Sequence, residues 1–418
     1  MEAIIDYRGK TPHKVPQGVP LVTAKIVKGG KIGTPDEYVA EEDYQEWMRR
    51  GLPLPGDVVM TTEAPLGEVA QLGHKRVALA QRIITLRGKK GLVDNTYLKF
   101  LMQSPAVQEQ LHARSTGTTV LGIKQRELRK IMLQLPPLSE QKAIARILGS
   151  LDEKIELNRR MNETLEGIAD ALFESWFVDF DPVRAKSENR EVGFPKGITA
   201  MFPDTLEDSE IGEIPSGWQT RRIDELATIN GLMLRKEDPL ETVEYIEISE
   251  VLKGEIAKVS HFDRGQEPSR ARRRLRHGDT VLSTVRPDRK SFFLCLNPPP
   301  NLIASTGFAV ISPVEAPWSW IHAALTRDEV FSQLGRHADG GAYPAVRPEI
   351  LGSYQTCWPS RKEPPELFHR LAAPLYEQAQ RNRAESKTLT ALRDSLLPRL
   401  FSGELRVATI LRAGASAT

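Results

Sequence analysis

Apolar residues recur at alternating intervals of four and three between Ile144 and Trp176. The full stripe comprises Ile144, Leu148, Leu151, Ile155, Asn158, Asn162, Leu165, Ala169, Leu172 and Trp176. This spacing is the heptad pattern of a helix that packs along another helix. Pro136 and Pro137 end the segment before it, because proline stops the preceding backbone pattern. The pattern therefore predicts one long helix, which we assign to residues 138–180.

A second stripe occurs 224 residues later and predicts a second long helix at residues 363–405. Arg393 interrupts it, although Leu392 beside it can compensate. Both stripes carry an asparagine at the same position, Asn158 and Asn382, where a buried amide would fix the register of a helix pair. The alternative is that both asparagines face solvent. We take the seam positions to be Leu148, Leu151, Ile155, Asn158, Leu165, Leu172, Leu375, Asn382, Leu389 and Leu396.

An internal repeat precedes and includes each helix. GDVVMTT at Gly56–Thr62 aligns with GDTVLST at Gly278–Thr284, and Pro136 aligns with Pro359. Short runs of β-branched residues separated by turn residues fill the stretch before each helix, which is typical of strands. A repeat of this length is a duplicated domain, since solenoid repeats are much shorter. The predicted fold class is α+β, with two repeated α/β lobes joined by two long helices.

The repeat and the stripes divide the chain into six segments. These are a first lobe (1–137), a central helix (138–180), a linker expected to be surface loop (181–212), a second lobe (213–362), a distal helix (363–405) and a tail expected to be disordered (406–418). Residue 1 aligns near residue 223, so the first copy lacks roughly fifteen residues that open the second. A truncated chain, an upstream start codon and a short variant would each explain this.

Composition excludes several classes of protein. The 418 residues are 40% hydrophobic, which excludes wholesale disorder. Apolar runs such as Phe292–Leu296 are far shorter than the roughly 20 residues of a membrane helix, and the N-terminus has no secretion signal. Two cysteines cannot supply a disulfide framework or a cysteine zinc site. The expected compartment is the cytoplasm, without membrane association.

Catalytic motifs are few. The sequence has no GxxxxGK[ST] phosphate loop, and its eight histidines show no metal-ligand spacing. Asn297–Pro300 reads NPPP, which resembles the NPP[FY] loop that holds a flipped adenine in methyltransferases. Pro300 replaces the aromatic residue of that loop, and no glycine-rich cofactor loop precedes it, so a plain turn is favoured. We therefore predict that the chain is not an enzyme and binds no cofactor or metal of its own.

Positive charge is local, because the net charge is only +2. Residues 270–290 contain eight basic and two acidic residues, whereas residues 141–181 contain five basic and nine acidic residues. Clustered arginine suits DNA phosphates and guanine edges, although a solvated basic face explains any one cluster as well. The candidate DNA contacts are Arg8, Lys10, Lys25, Lys28, Thr61, Thr62, Lys124, Arg126, Arg270, Arg272, Arg273, Arg274, Arg286, Arg289, Lys290 and Arg347.

Several motifs resemble the specificity subunits of Type I restriction–modification enzymes. Leu135–Lys186, from LPPLSEQKAIARILGSLDEKIELNRRMNETL onward, resembles the central conserved region of that family. Met60–Leu72 and Ser115–Pro137 are similar to segments that close the first target-recognition domain. Ile214–Ile229 is similar to the opening of the second, and Leu392–Leu405 to its distal end. The resemblance covers almost the whole chain.

The resemblance implies a function and a set of partners. Each target-recognition domain would read one half of a bipartite, asymmetric site in double-stranded DNA, and the two long helices would form an antiparallel coiled coil that sets the gap. Two modification subunits, which bind S-adenosylmethionine, would dock on the chain. Restriction subunits that use ATP and Mg can join. The family carries no catalytic residues.

Two other functions stay open at this point. One is a DNA-independent coiled-coil scaffold that assembles two partner subunits, and the other is a self-sufficient adenine methyltransferase, which needs a cofactor loop. A heptad added to both helices tests the first interpretation. Placed after Leu165 and after Leu389, it would add about 10 Å of helix and about three base pairs of gap.

Overall fold

The computed structural model describes residues 1–9, 11–188, 196–339, 341 and 344–407. The chain forms two compact units: unit 1 is Met1–Glu156 with Ser386–Thr418, and unit 2 is Leu157–Glu385. Both boundaries between the units fall inside long helices, so each unit contains part of two helices as well as its own sheets.

The described residues of unit 1 contain a four-stranded sheet, a three-stranded sheet, a two-stranded hairpin and a group of short helices. Its strands are β1 (Ala3–Asp6), β2 (Val19–Val22), β3 (Val27–Lys28), β4 (Lys31–Ile32), β5 (Tyr38–Val39), β6 (Val58–Thr62), β7 (Leu66–Gln71), β8 (Ala78–Leu79) and β9 (Ile83–Arg87). Its helices are α1 (Tyr44–Trp47), α2 (Asn95–Gln103), α3 (Pro105–Ala113), α4 (Gln125–Leu128) and the first part of α5 (Leu138–Phe177). The larger sheet has the order β1-β9-β6-β7, and the smaller has the order β5-β2-β8.

Alternation along β6 explains how the larger sheet is covered on both faces. Val58 and Met60 pack in one cluster with Leu98 of α2, whereas Val59 packs in another cluster with Leu21 of the smaller sheet. Successive side chains of a strand point to opposite faces, so a continuous apolar run marks a strand that is buried on both. The Asp94 carboxylate accepts a 2.9 Å hydrogen bond from the Tyr97 N–H and starts α2.

Unit 2 repeats this plan with additions. Its strands are β10 (Leu206–Ser209), β11 (Gly212–Pro215), β12 (Gln219–Arg222), β13 (Ala227–Ile229), β14 (Thr242–Ile246), β15 (Val251–Leu252), β16 (Glu255–Ile256), β17 (Ser260–Asp263), β18 (Ala271–Arg274), β19 (Asp279–Ser283), β20 (Phe292–Cys295), β21 (Leu302–Ser305), β22 (Phe308–Pro313) and β23 (Gln355–Trp358). Its helices are α6 (Asp181–Ser187), α7 (Lys196–Thr199), α8 (Ile223–Leu226), α9 (Trp318–Leu325), α10 (Asp328–Arg336), α11 (Pro348–Gly352) and most of α12 (Glu363–Phe401).

The order of the strands confirms the duplication. One sheet of unit 2 has the order β13-β22-β19-β20, which matches β1-β9-β6-β7 position by position. The other has the order β17-β14-β21-β18, and its parallel pair β14–β21 corresponds to the parallel pair β2–β8. The prediction of two repeated α/β domains joined by two long helices is confirmed.

Two segments depart from the repeat or from the sequence prediction. In unit 2, β12 pairs with β23, whereas the corresponding residues of unit 1, Met132–Leu135, form no strand. The predicted linker loop at 181–212 contains α6 and the hairpin β10–β11, because Val183 of α6 is buried in the core of unit 2. Residues 189–195 of that linker and 408–418 of the predicted tail lie outside the described residues.

The two long helices pair in opposite directions. In unit 1, the Arg393 guanidinium lies 2.9 Å from the Asp152 carboxylate. In unit 2, Arg383 pairs with Glu166, and the Tyr376 hydroxyl donates to Asp170 over 3.2 Å. Residue numbers fall along α12 as they rise along α5, so the predicted antiparallel coiled coil is confirmed.

Buried amides meet at the centre of this helix pair. The Asn158 amide donates to the Asn382 carbonyl over 3.3 Å and to the Glu385 carboxylate over 2.7 Å. The Asn382 amide donates to the Asn162 side-chain oxygen over 2.9 Å. Asn158 and Asn382 are 0% and 4% exposed. The alternative that these asparagines face solvent is wrong, and we call Asn158, Asn162, Asn382 and Glu385 the polar layer.

The other seam positions are less uniform. Leu148 is fully buried, and the remaining seam leucines and Ile155 are partly buried, namely Leu151, Leu165, Leu172, Leu375, Leu389 and Leu396. The expectation that Leu392 replaces Arg393 in the seam is wrong, since the Leu392 side chain is exposed. Arg393 itself occupies the seam, because Asp152 neutralises it there.

Removal of Asp152 should destabilise unit 1. Asp152 also pairs with Lys99 over 2.6 Å, so Asp152→Ala would leave mostly buried Lys99 without its carboxylate and Arg393 with only the exposed Asp394. We expect the free energy of unfolding to fall by about 3 kcal/mol, measured by urea denaturation followed by circular dichroism. Asp394→Ala removes the exposed second partner of Arg393 and should cost less than about 1 kcal/mol. Equal losses in the two variants would contradict this role of Asp152.

Candidate nucleic-acid interface

The central strands β6 and β19 begin with the same turn. Gly56 and Gly278 both adopt a φ of +84°, a left-handed conformation that favours glycine. The aspartate that follows each glycine accepts a hydrogen bond from a backbone N–H three residues earlier, Leu54 for Asp57 and Arg276 for Asp279. Burial raises the pKa of Asp279. These carboxylates hold the turns and explain why the Gly-Asp pair is common to both repeats.

The far ends of the two central strands bring basic residues together. The Thr62 carbonyl accepts from the Ile123 N–H over 3.0 Å, and the Thr284 carbonyl accepts from the Val346 N–H over 2.8 Å. Lys124 and Arg347 come next in the sequence, and both are exposed without an ion pair to any residue in the described part of the chain. The repeat therefore sets one cation at the same place in each unit.

In unit 1, Arg8 and Arg126 accompany Lys124. The Arg8 guanidinium pairs with Asp6 over 2.5 Å and donates to the Ile123 carbonyl over 3.0 Å, so it fixes the loop that carries Lys124. Arg126 is 78% exposed. Lys25 and Lys28 lie elsewhere: Lys28 belongs to β3 of the β3–β4 hairpin, and Lys25 precedes β3 and pairs with Asp36. The predicted contact Lys10 lies outside the described residues.

In unit 2, Arg286 and Arg289 accompany Arg347. Arg286 has a φ of +50°, and its N–H donates to the Pro344 carbonyl over 2.8 Å, which ties the turn after β19 to the loop before Arg347. Arg289 is exposed. The Lys290 ammonium lies 2.5 Å from the Asp328 carboxylate and is tied to α10.

A third set of cations lies on the other sheet of unit 2, at its edge strand β18. Arg270 precedes this strand and is exposed, and Arg272, Arg273 and Arg274 belong to it. Arg272 lies 3.9 Å from Glu267, and Arg274 lies 3.3 Å from Asp238. We call Arg272, Arg273 and Arg274 the β18 strip. The sequence cluster at 270–290 is therefore divided between two sheets.

Thr61 and Thr62 were candidates from the sequence, but both are buried. Thr61 is 0% exposed, and its hydroxyl oxygen accepts from the Glu68 N–H over 2.9 Å. Thr62 is 1% exposed, and its hydroxyl donates to the Arg82 carbonyl over 3.2 Å. Side chains that are buried and hydrogen-bonded in the sheet offer DNA no surface, so we remove both from the proposed contacts.

Exposed apolar side chains beside these cations were missed by the sequence analysis. Val120 and Leu121 are 52% and 45% exposed in the loop before Lys124, and Met233 is 47% exposed in a segment that pairs with β18. The signal in the sequence was an apolar pair or triplet beside glycine and basic residues. Methyl groups of this kind can contact the thymine methyl in the major groove.

The NPPP motif, His322 and Cys357, which a search for catalytic groups would examine, have structural explanations. Asn297 adopts a φ of +49° in the turn between β20 and β21, so NPPP is a turn. Burial lowers the pKa of His322 to about 3 and raises that of Cys357 to about 12, which keeps both side chains neutral. No group of three or more His, Cys, Asp or Glu residues that could hold a metal occurs among the described residues.

Comparisons with known proteins agree with this arrangement. Residues 12–167 match the family model described as Type I restriction modification DNA specificity domain. The chain is 25% identical over 400 residues to the Type I restriction enzyme MjaIX specificity subunit of Methanocaldococcus jannaschii, covering 93% of this chain and 87% of that protein. It is 27% identical over 384 residues to the HindI specificity subunit of Haemophilus influenzae, covering 78% of this chain and 81% of that one.

The chain is therefore similar over most of its length to Type I restriction enzyme specificity subunits, and residues 12–167 match their DNA specificity domain. A crystal structure of the Type I S subunit from M. genitalium has the same fold, with a TM-score of 0.57, 16% identity, and coverage of 94% of this chain and 92% of that one. The relatives are named as specificity subunits, which are non-catalytic, and this agrees with the prediction that the chain is not an enzyme. Within the described residues, no helix is both long and apolar enough to cross a membrane.

Proposed function

We propose that this chain is a specificity subunit that recognises a bipartite, asymmetric DNA site, and that each unit reads one half of it. The observation that carries the proposal is that the two units repeat the same strand order but present different side chains at the equivalent strand end. The same strand end presents Arg8, Lys124 and Arg126 in unit 1 but Arg286, Arg289 and Arg347 in unit 2. Two copies of one backbone with different basic and apolar side chains suit two different DNA words.

The proposal includes partners that supply the chemistry. Two modification subunits that bind S-adenosylmethionine would dock on this chain in the cytoplasm, and restriction subunits with ATP and Mg would complete a nuclease. A DNA-independent scaffold would also use the helix pair. It would leave unexplained the exposed cations Lys124 and Arg347 at equivalent strand ends, neither of which has an ion pair among the described residues.

Removal of the β18 strip should weaken DNA binding without regard to sequence. The triple variant Arg272→Ala, Arg273→Ala and Arg274→Ala is made in the assembled complex, and the logarithm of the DNA-binding constant is plotted against the logarithm of the salt concentration. We expect the magnitude of the slope to fall by at least about 0.9, because each lost phosphate contact contributes about that much. The control is Arg361→Ala, Lys362→Ala and Arg370→Ala, which removes equal charge around the start of α12. Identical slopes for parent and strip variant would remove the strip from the interface.

An exposed apolar stripe on α5 is our proposed docking surface for a modification subunit. Leu157, Met161 and Ile168 are 52%, 38% and 52% exposed. At 3.6 residues per turn these three positions fall within about 40° of one another on the helix. Exposed apolar side chains gathered on one helical face are typical of an interface with another protein.

Charge on this stripe should prevent assembly. We expect Leu157→Glu with Ile168→Glu to abolish co-purification of the modification subunit, because two carboxylates would be buried without partners. The fold should survive, since both positions are exposed. Leu252→Glu changes a similarly exposed leucine on β15 of the same unit and should leave assembly intact. Undiminished co-purification by the stripe variant would move the docking surface elsewhere.

The helix pair is our proposed ruler for the gap between the two DNA words. In an antiparallel pair, positions that are equivalent in the sequence repeat, such as Leu165 and Leu389, do not face each other. The observed register therefore requires insertion sites other than those chosen from the sequence. Asn162 meets Asn382 and Asp170 meets Tyr376, so the residues facing Leu165 lie near Ala379 and not near Leu389. Insertions after Leu165 and Leu389 would separate Asn158 and Asn162 from Asn382.

Insertions at matching levels should lengthen the gap. One heptad after Gly167 and one after Glu377 retain the pair Glu166–Arg383 on one side and Asp170–Tyr376 on the other. We expect the gap to grow by about three base pairs, since a heptad adds about 10 Å, while both DNA words stay the same. Adenine-methylation sequencing of DNA from cells with the modification subunits measures this. A heptad in only one helix should abolish assembly, and an unchanged gap in the double insertion would disprove the ruler.

A further inference from the structure

The three consecutive arginines of the β18 strip have different partners. Arg272 and Arg274 each have a carboxylate within 4 Å, from Glu267 and Asp238. Arg273 has no ion pair and no side-chain hydrogen bond to any residue in the described part of the chain, and its Nε is buried without a partner. The middle arginine is therefore the one whose charge the protein leaves uncompensated.

The neighbours of Arg273 are apolar. Its backbone pairs with Ala304 of β21 on one side and with Met233 on the other, and Ala304 is fully buried. Residues directly opposite each other in antiparallel strands have adjacent side chains, so Met233 lies beside Arg273. The loss of water lowers the pKa of Arg273, although arginine remains charged. A partly desolvated cation without a counter-charge costs folding free energy, and such groups concentrate at functional sites.

We propose that Arg273 is the residue of the β18 strip that binds a DNA backbone phosphate, an inference that rests on the proposed function. A phosphate supplies the negative charge that the protein itself does not provide there, and the planar guanidinium matches its oxygens with two hydrogen bonds. A guanine edge has suitable acceptors but no formal charge, so it would leave the cation uncompensated. Arg272 and Arg274 already have carboxylate partners, so they support this contact only through long-range electrostatic attraction for DNA.

Replacement of each arginine by methionine tests this assignment. Methionine keeps most of the aliphatic packing beside Met233 and removes the charge. The assembled complex is titrated over a range of NaCl concentrations with a duplex that carries the mapped site and with an unrelated duplex of equal length. We expect Arg273→Met to weaken binding to both duplexes about tenfold to a hundredfold and to reduce the log–log salt slope by about 1. Arg272→Met and Arg274→Met should have smaller effects, and Arg273→Lys should retain most of the slope.

Thermal stability separates a binding role from a structural one. Arg273→Met should melt no lower than the parent, because it removes an uncompensated cation, whereas a structural arginine would lower the melting temperature when replaced. A lower melting temperature, or equal binding losses for all three single variants, would overturn the assignment. So would a loss confined to the mapped site at an unchanged salt slope, which would make Arg273 a base reader.

Failure of this inference can be distinguished from failure of the proposed function. If the triple alanine variant loses affinity but Arg273→Met does not, the assignment to Arg273 is wrong and the strip still contacts DNA. If the parent complex prefers no DNA sequence at all, the proposed function is wrong, and the phosphate assignment falls with it.

Discussion

The polar layer in the helix pair is the constraint on which the arrangement of α5 and α12 depends. Leucine, isoleucine and alanine tolerate several alignments of two heptad stripes, because apolar contacts are not directional. Buried amides do not, since a buried polar group without a partner costs about 1–3 kcal/mol. Asn158, Asn162, Asn382 and Glu385 form hydrogen bonds with one another in a single antiparallel alignment. The ion pair Glu166–Arg383 and the hydrogen bond from Tyr376 to Asp170 form in that same alignment.

The sheets show how a duplicated backbone can hold different chemistry. The Gly-Asp turn, the central strand and the backbone hydrogen bond at its end recur in both units, at β6 and at β19. These features depend on backbone conformation and on one buried carboxylate, so they leave the exposed side chains free to differ. The basic residues near each strand end accordingly differ in kind and in position along the chain.

Neutralisation within the protein decides which basic residues remain available. Lys25, Lys290 and Arg274 each have an acidic partner, whereas Lys124, Arg347 and Arg273 have none among the described residues. A count of basic residues in a sequence segment therefore overstates the number of cations that are free to bind an anion. In the cluster at 270–290, adjacent arginines differ because their acidic partners come from distant segments, such as Asp238.

Heptad spacing and the internal repeat were readable from the sequence alone, because spacing and recurrence are properties of the linear chain. They predicted the two long helices and the duplicated α/β units, and motifs such as Leu135–Lys186 carried the resemblance to Type I specificity subunits. Only the tertiary structure decided that Thr61 and Thr62 are buried, that Arg393 is a seam residue rather than a break, and which cation lacks a carboxylate. It also decided that the level of Leu165 on α5 lies near Ala379 of α12 and not near Leu389, because Asn162 meets Asn382 and Asp170 meets Tyr376. Each of these facts depends on neighbours that are remote in sequence, and no local pattern records them.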